Sequence, residues 1–167
     1  MTAEAVVERF YADFARRDHR AMAAAYAPHA RFSDPVFTSL SGPRIGTMWR
    51  MLCERATDLR IDGGTVTADA GGVRTTWQAW YTYSSTGRTV HNRIDASFVI
   101  EDGLIVRHDD RFDLYRWARQ ALGMKGVLLG WSPLVQGAIR KQAARSLERF
   151  ELKVTPGAAG ARPPFAG

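Results

Sequence analysis

The sequence predicts an α+β fold with helices packed on one face of a curved antiparallel sheet. Three observations carry this. Apolar residues recur at helical spacing near the start of the chain. The period then shortens to that of strands over residues 59–113, which are rich in Val, Ile, Thr, Tyr, Trp and Phe and punctuated by glycine. Helical spacing returns after residue 113.

Each element follows from local chemistry. Val6, Phe10 and Phe14 make an apolar stripe over a helix 3–16 that Thr2 can cap. Asp18 can cap a short helix 19–27, closed by Pro28. Residues 29–34 read as extended. Ile45, Met48, Leu52 and Ala56 mark a third helix, 44–56. Strands are expected at 59–68, 73–83, 88–100 and 104–113, with Asp102-Gly103 as a strong hairpin turn. Helices 114–122 and 132–150 follow, and a Pro-, Gly- and Ala-rich tail over 154–167 reads as disordered.

With 167 residues, 46% hydrophobic, the chain is long enough for one domain with its own core. No apolar run reaches the eighteen or so residues of a membrane span. The start shows no basic segment leading into an apolar one, so a cytoplasmic protein is expected. A single cysteine, Cys53, excludes an internal disulfide and a cysteine-built zinc site. The net charge of +6 is not evenly spread. Residues 1–113 carry −1 and residues 114–167 carry +7. A near-neutral domain, 1–122, is therefore followed by a basic helical extension, 123–153.

Particular runs resemble a known family. Val6-Val7-Glu8-Arg9-Phe10, Asp18, Tyr26-Ala27 and Phe32-Ser33-Asp34-Pro35 resemble the opening of the ketosteroid isomerases. Arg93-Ile94-Asp95, Asp102-Gly103-Leu104-Ile105-Val106 and Asp109-Asp110-Arg111-Phe112-Asp113 are similar to SnoaL-like proteins and, more distantly, limonene epoxide hydrolases. The resemblance covers about residues 3–122 and implies the cone-shaped fold of nuclear transport factor 2. That fold hosts isomerases, cyclases, hydrolases and non-catalytic binders, so the site must decide function.

The resemblance also implies roles. Asp34 falls where the isomerases carry their carboxylate base; a turn aspartate before proline is the structural alternative. Asp95 falls at their protonated strand aspartate, one of two oxyanion donors. The other donor, a helix tyrosine, corresponds to Phe10. Tyr11 lies about 100° around the helix and is not expected to replace it. Tyr81 and Tyr83 are substitutes without a specific claim. The Arg-x-Asp pair of the epoxide hydrolases falls on Trp77 and Ala79, and only their downstream aspartate is matched, by Asp110.

Hairpin geometry adds an argument independent of family. A two-residue turn at Asp102-Gly103 sets Asp95 opposite Asp110 and Ser97 opposite His108 on one sheet face. Two shielded carboxylates that close would share a proton. The other face, with Val90, Ile94, Ala96, Phe98 and Ile100, would be an apolar outer surface suited to a homodimer. Phe10, Phe14, Trp49, Trp77, Tyr81, His108 and Phe112 are the candidate substrate-binding residues around an aromatic-walled pocket. His91, Asp95, His108 and Asp110 lack a compact ligand motif, so no metal is expected, and no cofactor-binding motif is present.

In the extension, Val135, Ile139, Ala143, Leu147 and Phe150 form one stripe, which favours packing on the domain or on a partner copy. Contact with an anionic membrane surface ranks below that, and nucleic-acid binding is not expected. The apolar run before the helix, Gly126 to Trp131, is suited to closing a pocket mouth. The function expected is cofactor-independent isomerisation or cyclisation of a small hydrophobic carbonyl compound, with Asp34, Asp95 and Asp110 as catalytic residues. A non-catalytic hydrophobic-ligand binder and an epoxide hydrolase or epoxide-opening cyclase are the alternatives.

Overall fold

The computed structural model describes residues 1–155. Of the tail expected to be disordered, 156–167 lie outside them, while Val154 is the last residue of a helix and Thr155 its cap. The chain runs α1 (Ala3–Ala15), α2 (His19–Ala24), β1 (Tyr26–Ser33), β2 (Leu40–Ser41), α3 (Pro43–Arg55), β3 (Arg60–Asp62), β4 (Thr67–Asp69), β5 (Gly72–Tyr83), β6 (Arg88–Glu101), β7 (Leu104–Arg111), α4 (Leu114–Leu122), α5 (Met124–Leu129) and α6 (Pro133–Val154). The caps read from sequence form: Thr2 Oγ1 accepts from Ala5 N at 3.2 Å and Asp18 Oδ1 from Ala21 N at 3.0 Å.

The sheet has the order β2-β1-β7-β6-β5-β3, with β4 also on β5. It is not a pure antiparallel meander, because β1 pairs parallel with β7 and sets Phe32 beside His108. The chain becomes extended at Tyr26, earlier than the expected residue 29, and residues 59–68 split into two short strands around Gly63-Gly64. Gly64 has φ +60°, and a Cβ there would sit 2.0 Å from the Thr76 carbonyl oxygen, so the break needs glycine.

The Asp102-Gly103 turn forms as expected, with φ +49° and +77°. The register beyond it differs. Ile100 pairs with Ile105, but Val99 pairs with Arg107, so β7 carries one extra residue at a bulge. From there Asp95 opposes Arg111, Ala96 opposes Asp110 and Phe98 opposes His108. A one-residue slip reverses which face every later side chain takes. The expected Asp95–Asp110 pair is therefore not formed. Ile94, Ala96 and Phe98 face the core instead of an outer surface, and Val90 is covered by α4. The outer face carries Arg74, Thr76, Asp95, Ser97, Arg107 and Asp109 in an open groove of about 610 Å³. An outer-face homodimer thus loses the apolar surface on which it was expected to rest.

The inner face packs on α1 and α3 through one core that includes Phe10, Phe14, Trp49, Trp77, Phe98 and Ile105. The extension joins this core. Leu147 and Phe150 of α6 are buried against it, with Ala143 alongside. A smaller cluster at one side unites Val90, Leu114, Trp117, Ala118 and Ala121 with Val36, Tyr81, Phe112 and Ile139. Residues 124–129, expected as loop, form a helix turned so that Gly126 meets Ala118 of α4 with no room for a Cβ. No helix among the described residues is long and apolar enough to cross a membrane.

Candidate active site

The inner face of β7 presents His108 and Asp110, 0% and 5% exposed. Polar groups so buried must find partners inside the protein. The Trp49 indole N–H donates to Tyr26 Oη at 3.0 Å. Tyr26 Oη lies 2.7 Å from His108 Nδ1, and His108 Nε2 lies 2.9 Å from Asp110 Oδ1. Proton counting orders this chain. Tyr26 accepts from Trp49 and has one proton to give, which His108 Nδ1 accepts. Nε2 then carries the imidazole proton and donates to Asp110. The Trp77 indole N–H reaches the same carboxylate oxygen at 3.4 Å.

Aromatic rings hold this chain in place. The His108 ring lies 4.0 Å from Phe98, 5.0 Å from Phe32 and 5.7 Å from Phe10, and stacks on Trp49 at 6.0 Å. Phe10, Phe14, Trp49 and Trp77 also pack on one another. These expected pocket walls are thus a floor of interlocked core side chains. Tyr81 and Phe112, half-buried, pack between this core and the side cluster, and Tyr81 Oη accepts from the Trp117 indole at 2.8 Å.

Tyr11 was not expected to reach the site, yet it does. It is 4% exposed, and its hydroxyl is a buried polar atom without a hydrogen-bond partner among the described residues. Burial first, then the nearby charge of Asp110, pushes its pKa well above the usual value, so it stays a proton donor. Helix α1 buries both Phe10 and Tyr11 because core surrounds it on more than one side, including Trp77, 5.6 Å from the Tyr11 ring.

Asp34 stands just after β1, half-buried in a tight turn. Its Oδ1 accepts from Val36 N at 2.6 Å and Phe37 N at 2.5 Å. Burial nevertheless pushes its pKa up to about 6, against the lowering effect of those two amides. Asp110 raises it further and His108 lowers it, so all three share one electrostatic environment. The extension touches the same turn: Arg140 Nε donates to the Pro35 carbonyl at 2.8 Å.

Asp95 does not join them. It lies exposed on the outer face, where Thr76 Oγ1 donates to it at 2.7 Å. The structure thus brings Asp34, His108 and Asp110 together, replaces Asp95 with Tyr11, and adds Tyr26. No group of three or more His, Cys, Asp or Glu among the described residues is placed to hold a metal.

A curved, unclosed sheet wrapped on helices is the cone-shaped fold of the nuclear transport factor 2 type. The family model of the SnoaL-like domain matches residues 7–108, and the chain belongs to that family. Solved structures that share its fold include the following three. A Pseudomonas putida KT2440 protein provisionally described as a polyketide cyclase is 23% identical, with TM-score 0.61, over 72% of this chain and 98% of its own. An LEH-like epoxide hydrolase from M. tuberculosis is 22% identical, with TM-score 0.60, over 78% of this chain and 96% of its own. A protein from Catenulispora acidiphila with a ketosteroid isomerase-like fold, solved with trimethylamine, is 12% identical, with TM-score 0.64, over 77% of this chain and 97% of its own. No curated protein matches the chain.

Proposed function

We propose that the protein is a cofactor-independent isomerase or cyclase that moves a proton beside the carbonyl of a hydrophobic polyketide, steroid or terpenoid-like compound. The observation that carries this is the Tyr11 hydroxyl, buried and unpartnered beside Asp110, in a site that also holds Asp34. A buried donor without a partner costs stability, and a developing enolate oxygen is the kind of acceptor that would use it.

In this reading Asp34 is the base. With a pKa of about 6 it is mostly ionised at neutral pH, yet more basic than a solvated carboxylate. It takes a proton from the carbon beside the carbonyl, and Tyr11 donates a hydrogen bond to the oxygen as charge develops. For isomerisation, Asp34 returns the proton to another carbon of the enolate. For cyclisation, the enolate carbon attacks a second carbonyl and the resulting alkoxide takes the proton. Asp110, held by His108 and Trp77, is the second proton-transfer group. The proposed setting is the cytoplasm.

A fused-ring phenol, which mimics the enolate, tests the reading. Asp34→Asn should bind it at least as tightly as wild type, and Tyr11→Phe should bind it more weakly. Absence of binding to wild type and Asp34→Asn alike would remove the enzyme reading. A non-catalytic hydrophobic-ligand binder is the second reading, for which Phe10, Phe14, Trp49 and Trp77 supply an apolar floor of rings 5.0–5.6 Å apart. Under that reading the phenol binds but Tyr11→Phe leaves its affinity unchanged. Epoxide opening ranks lower, because Trp77 and Ala79 stand where an arginine–aspartate pair would be needed.

A further inference from the structure

Helix α5 and the start of α6 present bulky apolar side chains to solvent. Leu128 is 63% exposed, Trp131 65% and Leu134 85%, and Met124 is exposed beside them. This follows from how α5 is seated. Its small residues face inward: Gly126 lies against the Ala118 carbonyl, and Gly130, just after the helix, lies close to the Ala118 side chain. The large residues of the segment therefore have no position left except outside. Exposed apolar side chains are ordinary when scattered, but a run of them within eleven residues, one of them tryptophan, calls for a partner.

The surrounding charge is predominantly basic. Residues 114–147 contain six Lys or Arg and no Asp or Glu, and Glu148 is the first carboxylate after them on the exposed face of α6. Lys125 lies within α5. Arg119 stacks on Tyr115, whose hydroxyl donates to the Val127 carbonyl at 3.0 Å, so Arg119 borders the same patch. Along α6, Lys141 and Arg145 follow Leu134 at seven and eleven residues, which places all three on one exposed face. The opposite face is the one buried on the domain, through Leu147 and Phe150.

We propose that this patch docks the protein on an anionic membrane surface, with Leu128, Trp131 and Leu134 entering the headgroup region and Arg119, Lys125, Lys141 and Arg145 meeting acidic lipid. Charge complementarity decides the occupant. A second copy on the same patch would bring an equal concentration of positive charge against the first, with no carboxylate in 114–147 to offset it. An anionic bilayer supplies the opposite charge, and tryptophan is favoured at its interface. The inference does not depend on the reaction in the cone.

Flotation of the full chain with vesicles tests it. Vesicles of phosphatidylcholine mixed with phosphatidylglycerol should bind the protein at low salt, while pure phosphatidylcholine should bind it far less. Each basic residue near such a surface contributes about fivefold to binding. Lys125→Gln, Lys141→Gln and Arg145→Gln combined should therefore weaken it about 100-fold. Leu128→Ser, Trp131→Ser and Leu134→Ser combined should abolish it with an unchanged thermal melt, since all three are exposed. Failure to bind phosphatidylglycerol vesicles, or binding that survives the serine variant, would overturn the proposal. So would a concentration-dependent dimer that the serine variant abolishes in a protein that ignores vesicles.

Discussion

Asp34→Asn should stabilise the protein at neutral pH while removing the proposed proton transfer. The magnitude follows from proton linkage. Asp34 has an ordinary pKa of 3.8 and a folded value of about 6, so the folded state binds its proton more tightly than the unfolded state does. Below pH 3.8 both states are protonated and no penalty exists. As pH rises the penalty grows, and it is complete once the folded carboxyl has ionised above about 6. A shift of about two units is worth about 3 kcal/mol. Asparagine keeps an oxygen to accept from Val36 N and Phe37 N, so the turn survives without the buried charge. At pH 7 the substitution should raise Tm by about 6–12 °C, from about 2–4 °C per kcal/mol at this size. At pH 4 most of the gain should disappear. Paired thermal melts at the two pH values read this directly. A gain of equal size at both, or a loss at pH 7, would refute the assignment of a buried, reluctant carboxylate.

Other substitutions separate function from stability in the same way. Tyr11→Phe removes a buried hydroxyl without a partner and should stabilise by about 1–3 kcal/mol in denaturant melts while weakening enolate-analogue binding. Tyr26→Phe removes the acceptor for Trp49 and the donor to His108, and should cost about 1–3 kcal/mol for each group left unpaired. If that variant melts like wild type, the chain from Trp49 to Asp110 is not a structural unit. Leu147→Ala should cost about 2–5 kcal/mol in urea unfolding, because α6 contributes to the core. A negligible cost would mean that the extension is not part of the cooperative fold.

The order of elements was legible because each carries a local signal: the Val6-Phe10-Phe14 stripe, the Thr2 and Asp18 caps, and the Asp102-Gly103 turn. Asp34 and Asp110 are singled out by their neighbours in sequence, and the structure sets both near His108. The loss of Asp95 from the site was not legible, because it depends on one extra residue in β7 at Val106, and nothing in the local pattern of Val, Arg and His announces a bulge. Tyr11 was missed by assuming a single buried face on α1, whereas both Phe10 and Tyr11 pack inward. Tyr26 falls within the helix 19–27 that the sequence predicts; as the first residue of β1, beside β7, it contacts His108. Long-range register, rather than propensity, set the limit.

Proton exchange tests the central claim most directly. The protein would be incubated in deuterium oxide with a panel of hydrophobic cyclic ketones, and loss of the proton beside the carbonyl followed by NMR. Wild type should exchange at least one ketone above the buffer rate. The rate should rise with pH through about 6, as Asp34 ionises, and fall sharply in Asp34→Asn. Exchange that persists undiminished in Asp34→Asn, or a panel in which wild type never exceeds buffer, would contradict that claim.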